Sequence, residues 1–172
     1  MMPCLCIIGS HFDVVRDIQA MPSGGPWDYM AIGLDAVDKC LQEIRYVATY
    51  HPVEIDMIRE RRRSAGGNLD YKVISHEKHP GVDIIITDWW KPSGSSALLG
   101  AQAAIRLGYK RIVLCGCPLT GVNAKGSKYE SFQSGWKARQ KEVSPFVRSM
   151  SGWTREFLGG PTMEWLMEGN GE

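Results

Sequence analysis

Short runs rich in Val, Ile and Cys recur along this chain, each closed by Gly, His, Pro or Asp and most of them followed by a stretch with helical spacing. Residues 4–8 form the first run and end at Gly9-Ser10-His11, after which Phe12, Val15 and Ile18 mark one face of a helix. Residues 30–33 repeat the scheme, followed by Ala36, Val37, Cys40, Leu41 and Ile44. A third strand over 46–50 closes at His51-Pro52, and Ile55, Ile58 and the charged 59–63 segment then read as a helix stopped by Gly66-Gly67. Strands over 71–75 and 82–87 follow, the latter so continuous in Ile that cover on both faces is expected. After a loop over 89–96 comes a small-residue helix over 97–107, with Leu99, Ala103 and Leu107 as its stripe and Gly108 as its stop. A strand over 111–115 ends at Gly116-Cys117-Pro118-Leu119-Thr120-Gly121. The last third reads as a helix over 132–147, an edge strand over 154–158 and a helix over 162–167 opened by Pro161. Strands alternating with helices require right-handed crossovers and a three-layer, Rossmann-like α/β fold, a mostly parallel sheet flanked by helices.

Length and composition narrow the classes. A chain of 172 residues predicts one domain spanning 1–172. A formal charge of +1 with 23% charged residues gives no polycation, so no nucleic-acid partner is expected. No apolar run approaches the ~20 residues of a membrane span, and no secretory leader is evident, which predicts a cytoplasmic protein with no membrane partner. The five cysteines, Cys4, Cys6, Cys40, Cys115 and Cys117, form no C-x-x-C pair, and the two C-x-C pairs should each lie along one side of a strand. Buried reduced thiols are expected rather than a disulfide framework or a zinc site.

In parallel α/β sheets ligands bind beyond the carboxyl ends of the strands, so the residues that close each strand become candidates. All four histidines, His11, His51, His76 and His79, fall there. His11 and His51, directly after strands, are candidate general bases, with carbonyl capping or solvent exposure as the alternative. His76 and His79 lack an adjacent carboxylate motif, and no metal site is expected. The loop Ser93-Gly94-Ser95-Ser96 suits an anion, because Gly allows close backbone approach and a helix start supplies unpaired N–H groups; equally, Ser95 or Ser96 could simply cap the helix. Lys91 stands beside it as a phosphate partner. Gly9, Ser10 and Gly33 form the first two strand-closing turns, and Asp35 is placed to read a ribose or base edge or to cap the next helix. Asp88 precedes Trp89-Trp90, rings that can stack on a base or pack in the core. The 59–63 arginines read as a solvated helix face. Neither G-x-x-x-x-G-K-[ST] nor G-x-G-x-x-G occurs, which argues against a kinase or an ordinary dehydrogenase.

The stretch from Ser93 to Thr120 resembles a known pattern: a Ser/Gly loop, a small-residue helix ending Leu107-Gly108-Tyr109, then Arg111-Ile112-Val113-Leu114-Cys115-Gly116. It is similar to the core of a Rossmann-like superfamily containing bacterial CMP-sialic-acid-dependent sialyltransferases, motility accessory factors and hydroxymethylpterin diphosphokinase-like proteins, and to small phage-encoded members of unassigned role. Cys6-Ile7-Ile8-Gly9-Ser10, Ile32-Gly33-Leu34-Asp35-Ala36 and Tyr50-His51-Pro52 resemble that group's first three strand ends. The resemblance implies a nucleotide held across Gly9-Ser10, Asp35 and Gly94-Ser95-Ser96. Ser10 and Asp35 stand where the sialyltransferases carry asparagines, Tyr129 is the only tyrosine after residue 109, and no histidine follows His79.

Together these features predict a nucleotide- or nucleotide-sugar-binding protein, a glycosyltransferase-like transferase with the donor phosphate at 93–96. The nucleotide would be ligand or co-substrate, with no other cofactor and with self-association left open. The alternatives are a module that binds the nucleotide without turnover, in a sequestering or regulatory role, and an interaction protein using its six tryptophans as an interface.

Overall fold

The structure, a computed structural model, describes residues 4–23, 26–39, 42–87, 95–121 and 129–168. Its strands are β1 (Cys4–Ile8), β2 (Trp27–Ile32), β3 (Tyr46–Ala48), β4 (Lys72–Ser75), β5 (Ile84–Ile85), β6 (Ile112–Cys115) and β7 (Val147–Ser149). The helices are α1 (Val14–Gln19), α2 (Ile55–Ser64), α3 (Ser96–Arg106), α4 (Glu130–Ala138), α5 (Gln140–Val143), α6 (Gly152–Leu158) and α7 (Met163–Glu168), with a 3-10 turn at Pro52–Glu54. The strands form one seven-stranded sheet in the order β5-β4-β3-β2-β1-β6-β7, and every pairing is parallel. This is a Rossmann-like α/β layout.

The alternation along β1 builds the three layers. Leu5 and Ile7 face one apolar core with Met30, Ile74, Leu98, Leu99, Leu114 and Trp136, while Cys4, Cys6 and Ile8 face a second with Val47, Ile58, Val73 and Val113. Helix α3 covers the first side so closely that a Cβ at Gly100 would stand 3.2 Å from both Met30 Sδ and Ile32 Cγ2. None of the described helices is long and apolar enough to cross a membrane.

Several local expectations are corrected. In α1 only Ile18 of the stripe Phe12, Val15, Ile18 packs against the core: Phe12 is 84% exposed and Val15 is exposed, and Val14 and Asp17 are buried instead. The helix is phased by a polar anchor, because the Asp17 carboxylate accepts the Gly116 N–H at 2.9 Å and the Ser151 hydroxyl at 2.7 Å. Residues 34–38 form turns, not a helix, although Ala36, Val37 and Ile44 are still buried. The carbonyls of that irregular segment need donors, and Arg62 supplies them, reaching the Val37 carbonyl at 3.0 Å and the Gln42 carbonyl at 2.7 Å. Arg62 is therefore wholly buried rather than part of a solvated face. Strand β5 lies at the sheet edge with Ile85 exposed, so it is not covered on both sides. Leu107 follows the last turn of α3 and is exposed.

The C-terminal third differs most. The expected long helix is broken into α4 and α5, its end is the edge strand β7, and the expected strand over 154–158 lies inside helix α6. Cys4, Cys6, Cys115 and Cys117 are free and buried. Cys115 and Cys117 nonetheless face different cores, since Gly116, at φ 67°, turns the chain between them. The Cys115 thiol is pushed up by its hydrogen bond with Cys6 and by burial, and the Cys117 thiol by burial, so both stay protonated.

Candidate functional site

The first four strand connections step outward from β1 to β5, and the chain then returns to place β6 on the other side of β1. A crevice opens at the carboxyl ends where the strand order reverses. Glycine sets how close its walls come. A Cβ at Gly9 would lie 2.1 Å from the Gly116 carbonyl oxygen, and the two turns are stitched by Gly9 N–H to the Cys115 carbonyl at 2.8 Å and His11 N–H to the Gly116 carbonyl at 3.2 Å.

A cavity of about 400 Å³ lies above this seam. Gly9, Ser10 and His11 enter it after β1, Gly33 and Asp35 after β2, His51 after β3, and Ser95 and Ser96 at the start of α3. Six residues that follow strands and two at a helix start thus line one cavity. Gly33 turns away from β2 at φ 72° with its N–H on the Ala48 carbonyl at 2.9 Å. The His51 N–H is held by Thr49 Oγ1 at 2.9 Å, which sets the turn that leaves His51 exposed on the cavity wall. His11 Nδ1 accepts the Asp13 N–H at 3.3 Å and lies 3.3 Å from the Asp13 carboxylate.

Ser95 is the N-cap of α3, its hydroxyl oxygen accepting the Leu98 N–H at 3.3 Å, so the capping alternative describes this residue. Asp35 caps no helix among the described residues, since 34–38 form turns; its carboxylate pairs with Arg61 at 2.9 Å on the cavity rim. His76 and His79 do not line the cavity: His76 leans on the Tyr50 ring at 5.2 Å, and His79 Nδ1 sits 2.8 Å from the Pro80 carbonyl. Asp88, Lys91 and Gly94 lie outside the described residues, as do Trp89, Trp90 and Cys40.

Sequence reasoning missed Glu54, placed by the 3-10 turn after His51, and an apolar wall of Pro118, Leu119, Tyr129 and Phe132. The Tyr129-Phe132 spacing at the start of α4 puts both rings on one side, with centroids 5.8 Å apart, and was the available signal. Burial pushes the Tyr129 phenol up, so it serves as an uncharged surface. A second hollow, of about 650 Å³, opens at the amino ends of β2, β3 and β4. Its Asp28 carboxylate is engaged by Arg45 and the Tyr109 hydroxyl, and it lies at the opposite edge of the sheet from the strand-closing turns.

No protein-family model matches the chain, and no curated protein matches it in sequence. Among solved structures it is similar to the sialyltransferase CstII from Campylobacter jejuni, determined in complex with a substrate analogue, CMP-3FNeuAc, at a TM-score of 0.62. The two share a fold. The match covers 94% of this chain and 87% of that chain at 12% sequence identity, so it speaks for the architecture and not for the identity of any side chain.

Proposed function

We propose that this chain binds a nucleotide or nucleotide sugar in the carboxyl-edge cavity and acts as a glycosyltransferase-like transferase, with the nucleotide as co-substrate. The observation that carries the reading is the convergence of Gly9, Ser10, His11, Gly33, Asp35, His51, Ser95 and Ser96 on one cavity at the strand-order reversal. A fold shared with a sialyltransferase solved in complex with the substrate analogue CMP-3FNeuAc supports the ligand class.

The cavity runs from the loop after β3 to the loop after β6, three strand spacings or about 14 Å, which suits an extended nucleotide sugar. Its middle is the start of α3. The Ser95 cap and the first helical bond occupy the Leu98 and Leu99 amides, leaving those of Ser96 and Ala97 for the donor phosphate, with Ser96 Oγ beside them. Gly94 and Lys91 extend this phosphate site in the proposal. The apolar end at Leu119, Tyr129 and Phe132 suits a base. Asp35 suits ribose or sugar hydroxyls, held outward by Arg61. His51 then takes the proton of an acceptor hydroxyl as its oxygen attacks the anomeric carbon; the bond from that carbon to the phosphate oxygen breaks, and the nucleotide leaves with the electron pair. His11, steadied by Asp13 beside Ser10, is the second candidate for proton transfer.

A thermal-unfolding panel tests the binding. A nucleoside monophosphate at about 100 times its Kd should raise the midpoint by roughly 5–10 °C, and the matching nucleoside much less. No shift with any of the four monophosphates would overturn the reading.

A further inference from the structure

Among the described residues, Leu119 is the one non-glycine with a positive φ, at 48°. In that region the Cβ crowds the following carbonyl, so leucine is a strained choice there. The strain is held from several sides. Gln133 donates its side-chain N–H to the Leu119 carbonyl at 2.9 Å, and Thr154 reaches the Cys117 carbonyl through its hydroxyl at 2.7 Å and the Pro118 carbonyl through its N–H at 3.3 Å. The Trp153 N–H bonds Thr120 Oγ1 at 3.0 Å, and Gly152 packs so tightly that a Cβ would stand 2.3 Å from Pro118 Cβ. Residues from α4 and the start of α6 thus clamp the loop after β6.

What the clamp presents is an apolar side chain, 6% exposed, on the cavity wall beside Pro118, Tyr129 and Phe132. Strained conformations that the surroundings over-determine cluster at ligand contacts, where a relaxed residue would give up the contact. Resting on the nucleotide reading above, we infer that Leu119 is a specificity-determining residue. Its side chain closes the apolar end of the cavity against the nucleobase, and the Gln133–Thr154 clamp holds it there. The site thereby distinguishes a nucleotide from a bare sugar phosphate.

Two truncations separate backbone from side chain. Leu119→Ala and Leu119→Gly remove the same contact, and glycine ordinarily loses to alanine through its freer unfolded chain. At a positive φ the order reverses, so Leu119→Gly should melt about 2–4 °C above Leu119→Ala. Leu119→Asn, which tolerates the left-handed region, gives a third variant of near-native size. For the nucleoside monophosphate that the native chain binds best among AMP, GMP, CMP and UMP, all three should weaken affinity by about fivefold or more, while affinity for ribose 5-phosphate stays within about twofold. The inference is overturned if Leu119→Gly melts below Leu119→Ala, or if the two ligands lose affinity together or not at all. A native chain that binds none of the four monophosphates sinks the nucleotide reading as well; one that binds while all variants match it sinks only the role of Leu119.

Discussion

The Asp17 carboxylate accepts the Gly116 N–H at 2.9 Å, joining α1 to the loop after β6 across 99 positions of sequence. The same oxygen accepts the Ser151 hydroxyl at 2.7 Å, so one buried carboxylate ties together three segments beneath the cavity. Asp17→Ala leaves two buried donors without a partner and should cost about 3 kcal/mol in urea unfolding. Asp17→Asn keeps an acceptor oxygen and should cost less than half as much. A loss below about 0.5 kcal/mol for the alanine variant would contradict the anchoring role.

Gly9 and Gly33 both close strands, for different reasons. A Cβ at Gly9 collides with the backbone of Gly116, whereas a Cβ at Gly33 meets nothing within 4 Å and suffers only from the positive φ. Gly9→Ala should therefore be the more damaging, forcing the β1 and β6 turns apart, and Gly33→Ala should cost about 1 kcal/mol. Chemical denaturation of the pair checks the order.

Ser95 and Ser96 are neighbours with separable roles. Ser95→Ala removes the α3 cap and should lower stability by about 1 kcal/mol. Ser96→Ala should leave stability within about 0.5 kcal/mol yet weaken a nucleoside monophosphate more than its nucleoside, as calorimetry would show. Equal loss for both ligands would remove Ser96 from the phosphate site.

Alkaline pH should unfold the protein through its tyrosines. Burial pushes Tyr50 up to about 12; Tyr109 is pushed up by burial, then by its bond to Asp28 and by Tyr46. The folded state keeps both phenols neutral, so their contribution is complete below pH 10, the unfolded value, and is lost as pH rises from there through the folded values. The unfolding midpoint should fall above pH 10, and Tyr50→Phe should flatten that fall between pH 10 and 12. An unchanged slope in Tyr50→Phe would contradict it.

His51 stands on the cavity wall away from the α3 start in the proposed arrangement. His51→Ala should hold nucleotide affinity within a few-fold while product formation falls by about 100-fold or more, as loss of a general base implies. Equal turnover in the variant would remove His51 from the mechanism.

The strand ends were legible because parallel β1 and β6 are near-continuous apolar runs with glycine directly after them, and a buried strand leaves few other ways to write the sequence. Where a polar side chain does structural work the pattern misleads. Asp17 and Arg62 are core residues by virtue of partners far away in sequence, so periodicity alone put α1 out of phase and placed the arginine in solvent. Short elements fail similarly. β7 is three residues that begin where the helical pattern over 132–147 ends, and its sheet position comes from pairing with β6, not from propensity. Of the residues lining the cavity, Gly9, Ser10, Gly33 and Asp35 follow strands and are legible by position; Glu54, Leu119 and Phe132 are not, since an apolar residue on a cavity wall looks the same in sequence as one in the core and Glu54 is placed only by the 3-10 turn.

The most direct test is a crystal soaked with CMP at saturating concentration. The expected placement has the phosphate at the amides of Ser96 and Ala97, the ring on Leu119, Tyr129 and Phe132, and the ribose between them over Gly9 and Ser10. Density at the amino edge of the sheet, or an empty cavity at that concentration together with no affinity for AMP, GMP or UMP, would contradict it.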